Sequence, residues 1–217
     1  MKDWKCSCGS CKNTNSSWLW CDVGRRIVWF EVPRAASTAI RYDAIGLAAD
    51  KRCTFESVNY GGRLEFDYSE YFTFGVTRNP WDRLTSAYIL FTKGPTHRTK
   101  EVCSIFKSHD KTFERFASCV CDGLFVNCHI ASVVHYLPSD LDFLIRFETF
   151  DEDWARLITT IDTFPCSLRV LKQSGEPKIK SHYTTFYNDN TELIEMVGEF
   201  YKEDVERYNY SYDMETA

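Results

Sequence analysis

The sequence predicts a three-layer α/β fold, a central and mostly parallel sheet flanked by helices. Three observations carry that expectation. Short apolar runs with the length of strands recur along the chain, segments of helical periodicity separate them, and several of the runs end in a sharp polar turn directly before a helix. With 217 residues, one domain with a sizeable core is expected.

The elements follow in chain order. Residues Arg26 to Val32 read as a buried strand. Thr38 to Ala49 read as a helix, with Ile40, Ala44 and Leu47 on one side. A second strand spans Tyr71 to Thr77, and Pro80 then stands where a helix begins, because a first helical position has no use for the missing N–H. Trp81, Leu84, Ala87, Tyr88 and Phe91 recur behind it at helical spacing, which favours core packing for Trp81 over stacking on a ligand. Lys111 to Val120 is a further helix, Leu141 to Phe147 a strand, and Asp151 to Ile161 a helix opened by an acidic turn. After the polar loop "QSGEPKIKSH", Thr191 to Tyr208 reads as one long amphipathic helix with Leu193, Ile194, Val197, Phe200 and Tyr201 inward. Such an alternation places ligands beyond the carboxyl ends of the strands.

Composition excludes some functions. The net charge of −5 argues against a nucleic-acid-coating surface, and no apolar run reaches membrane-spanning length. Neither a signal peptide nor an anchor is visible, so a cytoplasmic location is expected, or the Golgi lumen or a secreted state if the sequence is a piece of a longer chain. Ten cysteines are many for such a chain; Cys6, Cys8, Cys11 and Cys21 cluster at one end and Cys119, Cys121 and Cys128 later. Free thiols, disulfides and zinc all remain open readings, and no metal ligand set is assigned. The oligomeric state is left open as well.

In "IVWFEVPRAASTAIRY" a buried strand stops on Pro33 and a helix restarts after Ser37 and Thr38. Backbone N–H groups at such a turn suit an anion, Arg34 adds charge, and the two hydroxyls either cap the helix or reach the anion. The nucleotide-triphosphate motif G-x-x-x-x-G-K-[ST] is absent. In "FGVTRNPWDRLTSAYILF" Arg78 follows a strand tip and Ser86 lies two turns into the next helix, a spacing at which both are expected to grip one phosphate.

Together the two segments resemble the sulfotransferases that use 3′-phosphoadenosine 5′-phosphosulfate (PAPS), most closely the Golgi-type carbohydrate group often called sulfotransferase family 2. In that family a V-P-[KR]-x-x-x-[ST] loop, here "VPRAAST", holds the 5′-phosphosulfate, and an R-x-P-x-x-R-L-x-S-x-[YF] segment, here "RNPWDRLTSAY", holds the 3′-phosphate. "DFLIRFETFDEDWARL" and the closing aromatic segment from His182 to Tyr212 are similar to later parts of the family pattern, so the resemblance runs from about Ile27 to Tyr212. It implies a P-loop-like fold over residues 26–217, behind a cysteine-rich segment at 1–25.

By the same resemblance PAPS is the co-substrate, bound by Arg34, Ala35, Ala36, Ser37, Thr38, Arg78 and Ser86, with Lys180 of the late basic loop closing on the phosphates beside Lys178 and His182. Arg34 also neutralises charge on the moving sulfonate. Its fork replaces the lysine of many members and is not a proton donor. His129 falls at the family's histidine position, although "HIASV" replaces the usual His-Trp-x-x-Gln. It is the first candidate for the base, ahead of Glu65 or Asp67, with His135 and Glu56 also in reach of the pattern. The implied activity is sulfonate transfer to an acceptor hydroxyl, foremost on a carbohydrate. A small-molecule O- or N-sulfotransferase, an ATP-using kinase and a non-catalytic sugar-binding module are the alternatives.

Overall fold

The computed structural model describes residues 18–41, 56–59, 67–93, 112–161 and 183–213. They fall into two compact units, one drawn from Asn13–Arg78 and Val133–Pro177, the other from Asn79–Ser132 and Lys178–Glu215.

The first unit holds the sheet. Its five strands are β1 (Trp18–Asp22), β2 (Ile27–Glu31), β3 (Glu56–Asn59), β4 (Phe72–Thr77) and β5 (Phe143–Arg146), in the order β3-β1-β2-β4-β5. β2, β4 and β5 pair in parallel, while β1 pairs antiparallel with both β2 and β3, so four of the five strands run the same way. The α/β class and the mostly parallel sheet are as the sequence predicts. β2 is buried along its whole length, which explains the apolar run from Ile27 to Phe30. Register places Trp20 opposite Trp29 and Trp29 opposite Phe74. Their rings stack at 6.1 and 6.4 Å, and Phe74 meets Trp154 edge to face at 6.2 Å. This aromatic row fixes the cross-strand alignment on one face.

Two strands escape the sequence reading. β1, in the segment read as cysteine-rich, turns into β2 through a tight hairpin. Asp22 fastens that hairpin, accepting from the Arg25 backbone N–H at 3.0 Å and its guanidinium at 2.9 Å. The short β3 has only four residues and no strong β-formers apart from Val58. Gly75 of β4 faces Leu137, so close that an added Cβ would lie 2.4 Å from its side chain.

A short helical turn, α1, starts at Ser37–Ala39 and is described as far as Arg41; the remainder of the helix expected to Ala49 lies outside the described residues. The helix after β5, Phe150–Thr160, matches the expectation to within one residue.

The second unit is helical: α2 (Pro80–Lys93), α3 (Phe113–Cys121) and, near the carboxyl end of the chain, Thr184–Tyr187, Thr191–Phe200 and Lys202–Tyr208. With the helix Phe150–Thr160 as α4, these last three are α5, α6 and α7. Asn79 caps α2, its Oδ1 accepting from the Trp81 N–H at 3.0 Å, and its amide donates to the Ser211 carbonyl at 3.0 Å. Trp81 is 5% exposed, donates to the Ile194 carbonyl at 3.0 Å and meets Tyr212 edge to face. It is a core residue, as its helical phase predicts. Tyr88, Phe91, Phe113, Phe116, Phe125 and Tyr187 complete an aromatic interior.

The single helix expected over Thr191 to Tyr208 is instead two, broken at Tyr201. Tyr201, at φ −101° and ψ 25°, is 1% exposed, and its hydroxyl donates to the Ile130 carbonyl at 2.6 Å. Phe200, placed inward by periodicity, is the last residue of α6 and is 37% exposed, its ring edge to face with that of Tyr201 at 4.8 Å. Among the described residues Cys21, Cys119, Cys121 and Cys128 form no disulfide, whereas Cys6, Cys8 and Cys11 lie outside them.

Removing the anchoring hydroxyl leaves a buried carbonyl without its donor, so Tyr201→Phe is expected to destabilise the protein by about 1 kcal/mol. Urea unfolding checks it; an unchanged midpoint contradicts the anchoring role.

Candidate functional site

The parallel pairing of β2, β4 and β5 brings their carboxyl ends to one edge of the sheet. β2 leads into Pro33–Thr38, β4 into Arg78, and β5 into Phe147.

The loop after β2 is wound tightly. Ala35 N–H closes a turn onto the Val32 carbonyl at 3.2 Å, and both Arg34 (φ 69°) and Ala36 (φ 54°) occupy the left-handed region. For residues with a Cβ that conformation costs about 1–3 kcal/mol each, and such strain concentrates at functional sites. Neither position is a glycine, so surrounding contacts must hold the loop.

Two of those contacts are visible. Arg78 Nη1 donates to the Arg34 carbonyl at 2.9 Å, and the Arg78 guanidinium lies 3.9 Å above the Phe147 ring. The ring in turn is set by the turn beyond β5, where the Phe147 N–H donates to the Thr77 carbonyl at 2.9 Å. Asp153, 3% exposed at the start of α4, accepts from the Arg146 N–H at 2.8 Å, from the Thr149 hydroxyl at 3.0 Å and from the Arg156 guanidinium. Arg78 therefore joins three strand ends, with its guanidinium seated over the Phe147 ring.

The third contact starts on Glu31, the last residue of β2. Its side chain is 3% exposed and accepts from Trp20 Nε1 at 2.7 Å and from Arg41 Nη2 at 2.7 Å. Ser37 also hydrogen-bonds to it. Burial pushes the Glu31 carboxyl above the ordinary glutamate value, with Arg41, Trp20 and Ser37 pulling the other way. The N-cap of α1 is Ala36, with no side-chain cap. Ser37 and Thr38 thus do not cap this helix from outside it. Ser37 is turned inward to Glu31, and Thr38 is exposed.

The structure brings Arg34, Ala35, Ala36, Ser37, Thr38 and Arg78 to one edge. Ser86 and His129 belong to the helical unit. Ser86 is 8% exposed on α2. His129 is half-buried and packs edge to face on Phe91 at 5.7 Å. The His129 backbone N–H donates to Asn127 Oδ1 at 2.9 Å, and the same oxygen lies 2.8 Å from Nδ1. An oxygen that accepts from the backbone must also accept from the ring, so Nδ1 carries the proton and Nε2 the basic lone pair of the neutral imidazole.

Among the other base candidates, Asp67 is fully exposed, and hydrogen bonds from Ser69 hold its carboxyl below the ordinary aspartate value. That makes it a poor proton acceptor at neutral pH. His135 is an exposed residue ending the 3₁₀ turn Val133–His135, and Glu56 opens β3. Glu65, Lys178, Lys180 and His182 lie outside the described residues. Sequence reasoning missed Glu31, Trp20, Arg41 and Phe147. An acidic residue inside an otherwise apolar strand was the one available signal for Glu31.

The model of a sulfotransferase family matches residues 19–211. No curated protein and no solved structure matches the chain.

The folded state holds the Glu31 proton more tightly than the unfolded chain does. Its contribution to stability is fullest below the ordinary value of 4.5 and is lost as pH rises through the higher folded value. Wild type is therefore expected to lose stability relative to Glu31→Gln between acid and neutral pH. Urea titrations of both proteins check this, and a pH-independent difference contradicts it.

Proposed function

The chain belongs to the sulfotransferase family, and from that premise we propose that it transfers a sulfonate from PAPS to an acceptor hydroxyl, foremost on a carbohydrate. The observation that carries the reading is the hydrogen bond from Arg78 to the Arg34 carbonyl, because it ties the two motif segments to one edge of the sheet. PAPS has two anionic groups, and each motif supplies an arginine. The strained, turned loop from Arg34 to Thr38 suits the 5′-phosphosulfate, and Arg78 suits the 3′-phosphate by charge-assisted hydrogen bonds. Ser86 joins Arg78 in this assignment on the sequence pattern alone, as does Lys180 for the late loop.

In the proposed reaction the acceptor oxygen bonds to sulfur while the bridging oxygen departs with the 5′-phosphate. Arg34 neutralises charge on the moving group, and its guanidinium stays protonated throughout. The acceptor proton needs a base. His129 is assigned that role on its chemistry, since the Asn127 contact leaves the Nε2 lone pair as the basic one. The proposal includes a cytoplasmic site of action, and nothing in it depends on one carbohydrate.

Among the described residues no helix is long and apolar enough to cross a membrane.

Two measurements test the proposal. Adenosine 3′,5′-bisphosphate at 100 times its dissociation constant stabilises by about 2.7 kcal/mol, which for a chain of this size raises the melting temperature by about 5–10 °C. ATP, with no 3′-phosphate, is expected to give much less, and Arg78→Ala to abolish most of the shift. Equal shifts from both nucleotides contradict the 3′-phosphate assignment and favour a kinase. Arg34→Ala is expected to lower turnover by about two orders of magnitude or more with a smaller change in bisphosphate binding; normal turnover removes it from the mechanism.

A further inference from the structure

We propose that Glu31 is a positioning residue for the donor loop: its buried carboxylate, held by Trp20 and Arg41, takes the Ser37 hydroxyl and so fixes the strained Arg34–Ala36 backbone in its binding shape. The inference rests on the donor-site reading above and deepens it.

The bonding explains why a charged group stands at a place where its strand neighbours are apolar. Burying a carboxylate is costly unless it is paired and hydrogen-bonded, and one with nothing to hold would be replaced by an apolar residue at no loss. Glu31 meets that condition with one partner from β1, one from the loop and one from the helical turn that follows it. Trp20 Nε1 sits 2.7 Å from Oε2, Arg41 Nη2 sits 2.7 Å from Oε1, and Ser37 completes the set. The three partners enclose the segment Pro33–Ala36 in sequence, so the loop is pinned from both of its ends. No glycine relieves the left-handed backbone at Arg34 and Ala36, and an external restraint is what such residues require.

The arrangement also gives Ser37 a different task from Thr38. A hydroxyl whose proton is committed to Glu31 has no second proton to offer a phosphate. Ser37 therefore acts by holding the loop amides in place. Thr38, exposed at the next position, is the loop hydroxyl that this arrangement leaves for the anion.

Because Glu31 and Ser37 act through one hydrogen bond, their losses are expected to be non-additive. Binding of adenosine 3′,5′-bisphosphate to the full chain by calorimetry, with folding checked by circular dichroism, is the test. Glu31→Gln and Ser37→Ala are each expected to weaken binding about tenfold, and the double variant to be no weaker than the weaker single. Glu31→Asp, which keeps the charge but shortens the reach, paired with Ser37→Ala repeats the cycle if Glu31→Gln does not fold, and the same non-additivity is expected there.

Independent losses that multiply to about a hundredfold in the double variant overturn the inference. So does a Glu31→Gln protein that melts earlier yet binds as wild type does, since that is a purely structural role. Failure of wild type to bind the bisphosphate would overturn the donor-site reading and this inference with it. Binding by wild type with additive losses overturns the inference alone.

Discussion

The parallel alignment of β2, β4 and β5 is the constraint from which the candidate site follows. Three strands running the same way deliver three loops to the same edge, and the register between them decides which residues meet there. The Thr77–Arg146 partnership puts Arg78 beside Phe147, and the pairing of Phe30 with Gly75 brings the loop after β2 within reach of the Arg78 guanidinium. A slip of one residue would turn every side chain on a strand to the other face, so the stacked row of Trp20, Trp29 and Phe74 guards the site as well as the core.

The loops themselves are held by charge kept out of water. Glu31 and Asp153 are each 3% exposed, and each collects several donors around a turn that follows or precedes a strand end. Buried carboxylates are a weak source of net stability, but with several donors each they specify one geometry. Here that geometry includes two non-glycine residues in a left-handed conformation, a state that local propensity alone would not select.

Much of this was legible in the sequence. The apolar runs ending on Val32, Thr77 and Phe147 gave the three parallel strands within one or two residues, and Pro80 located the start of α2. The paired arginine motifs pointed to the sheet edge where Arg34 and Arg78 meet. What stayed hidden depends on partners distant in the chain. β1 has a Trp-Leu-Trp core that looks unremarkable beside clustered cysteines until β2 and β3 are placed on either side of it. Tyr201, where the last helix divides, is anchored by a hydroxyl reaching Ile130, 71 residues away, a contact no helical period records. Glu31 looked like an interruption in a strand, because its three partners sit at positions 20, 37 and 41 and only the fold assembles them.

The central claim is that the edge formed by β2, β4 and β5 serves the transfer of a sulfonate from PAPS, and the direct measurement is the fate of the sulfur. The protein is incubated with sulfur-radiolabelled PAPS and a panel of oligosaccharides and small hydroxyl or amine compounds, and label and nucleotide product are counted together. The account predicts that label passes to at least one hydroxyl-bearing acceptor, with adenosine 3′,5′-bisphosphate formed one for one. Label that stays on the donor with every acceptor, in a folded protein that does not hold the nucleotide, would contradict it.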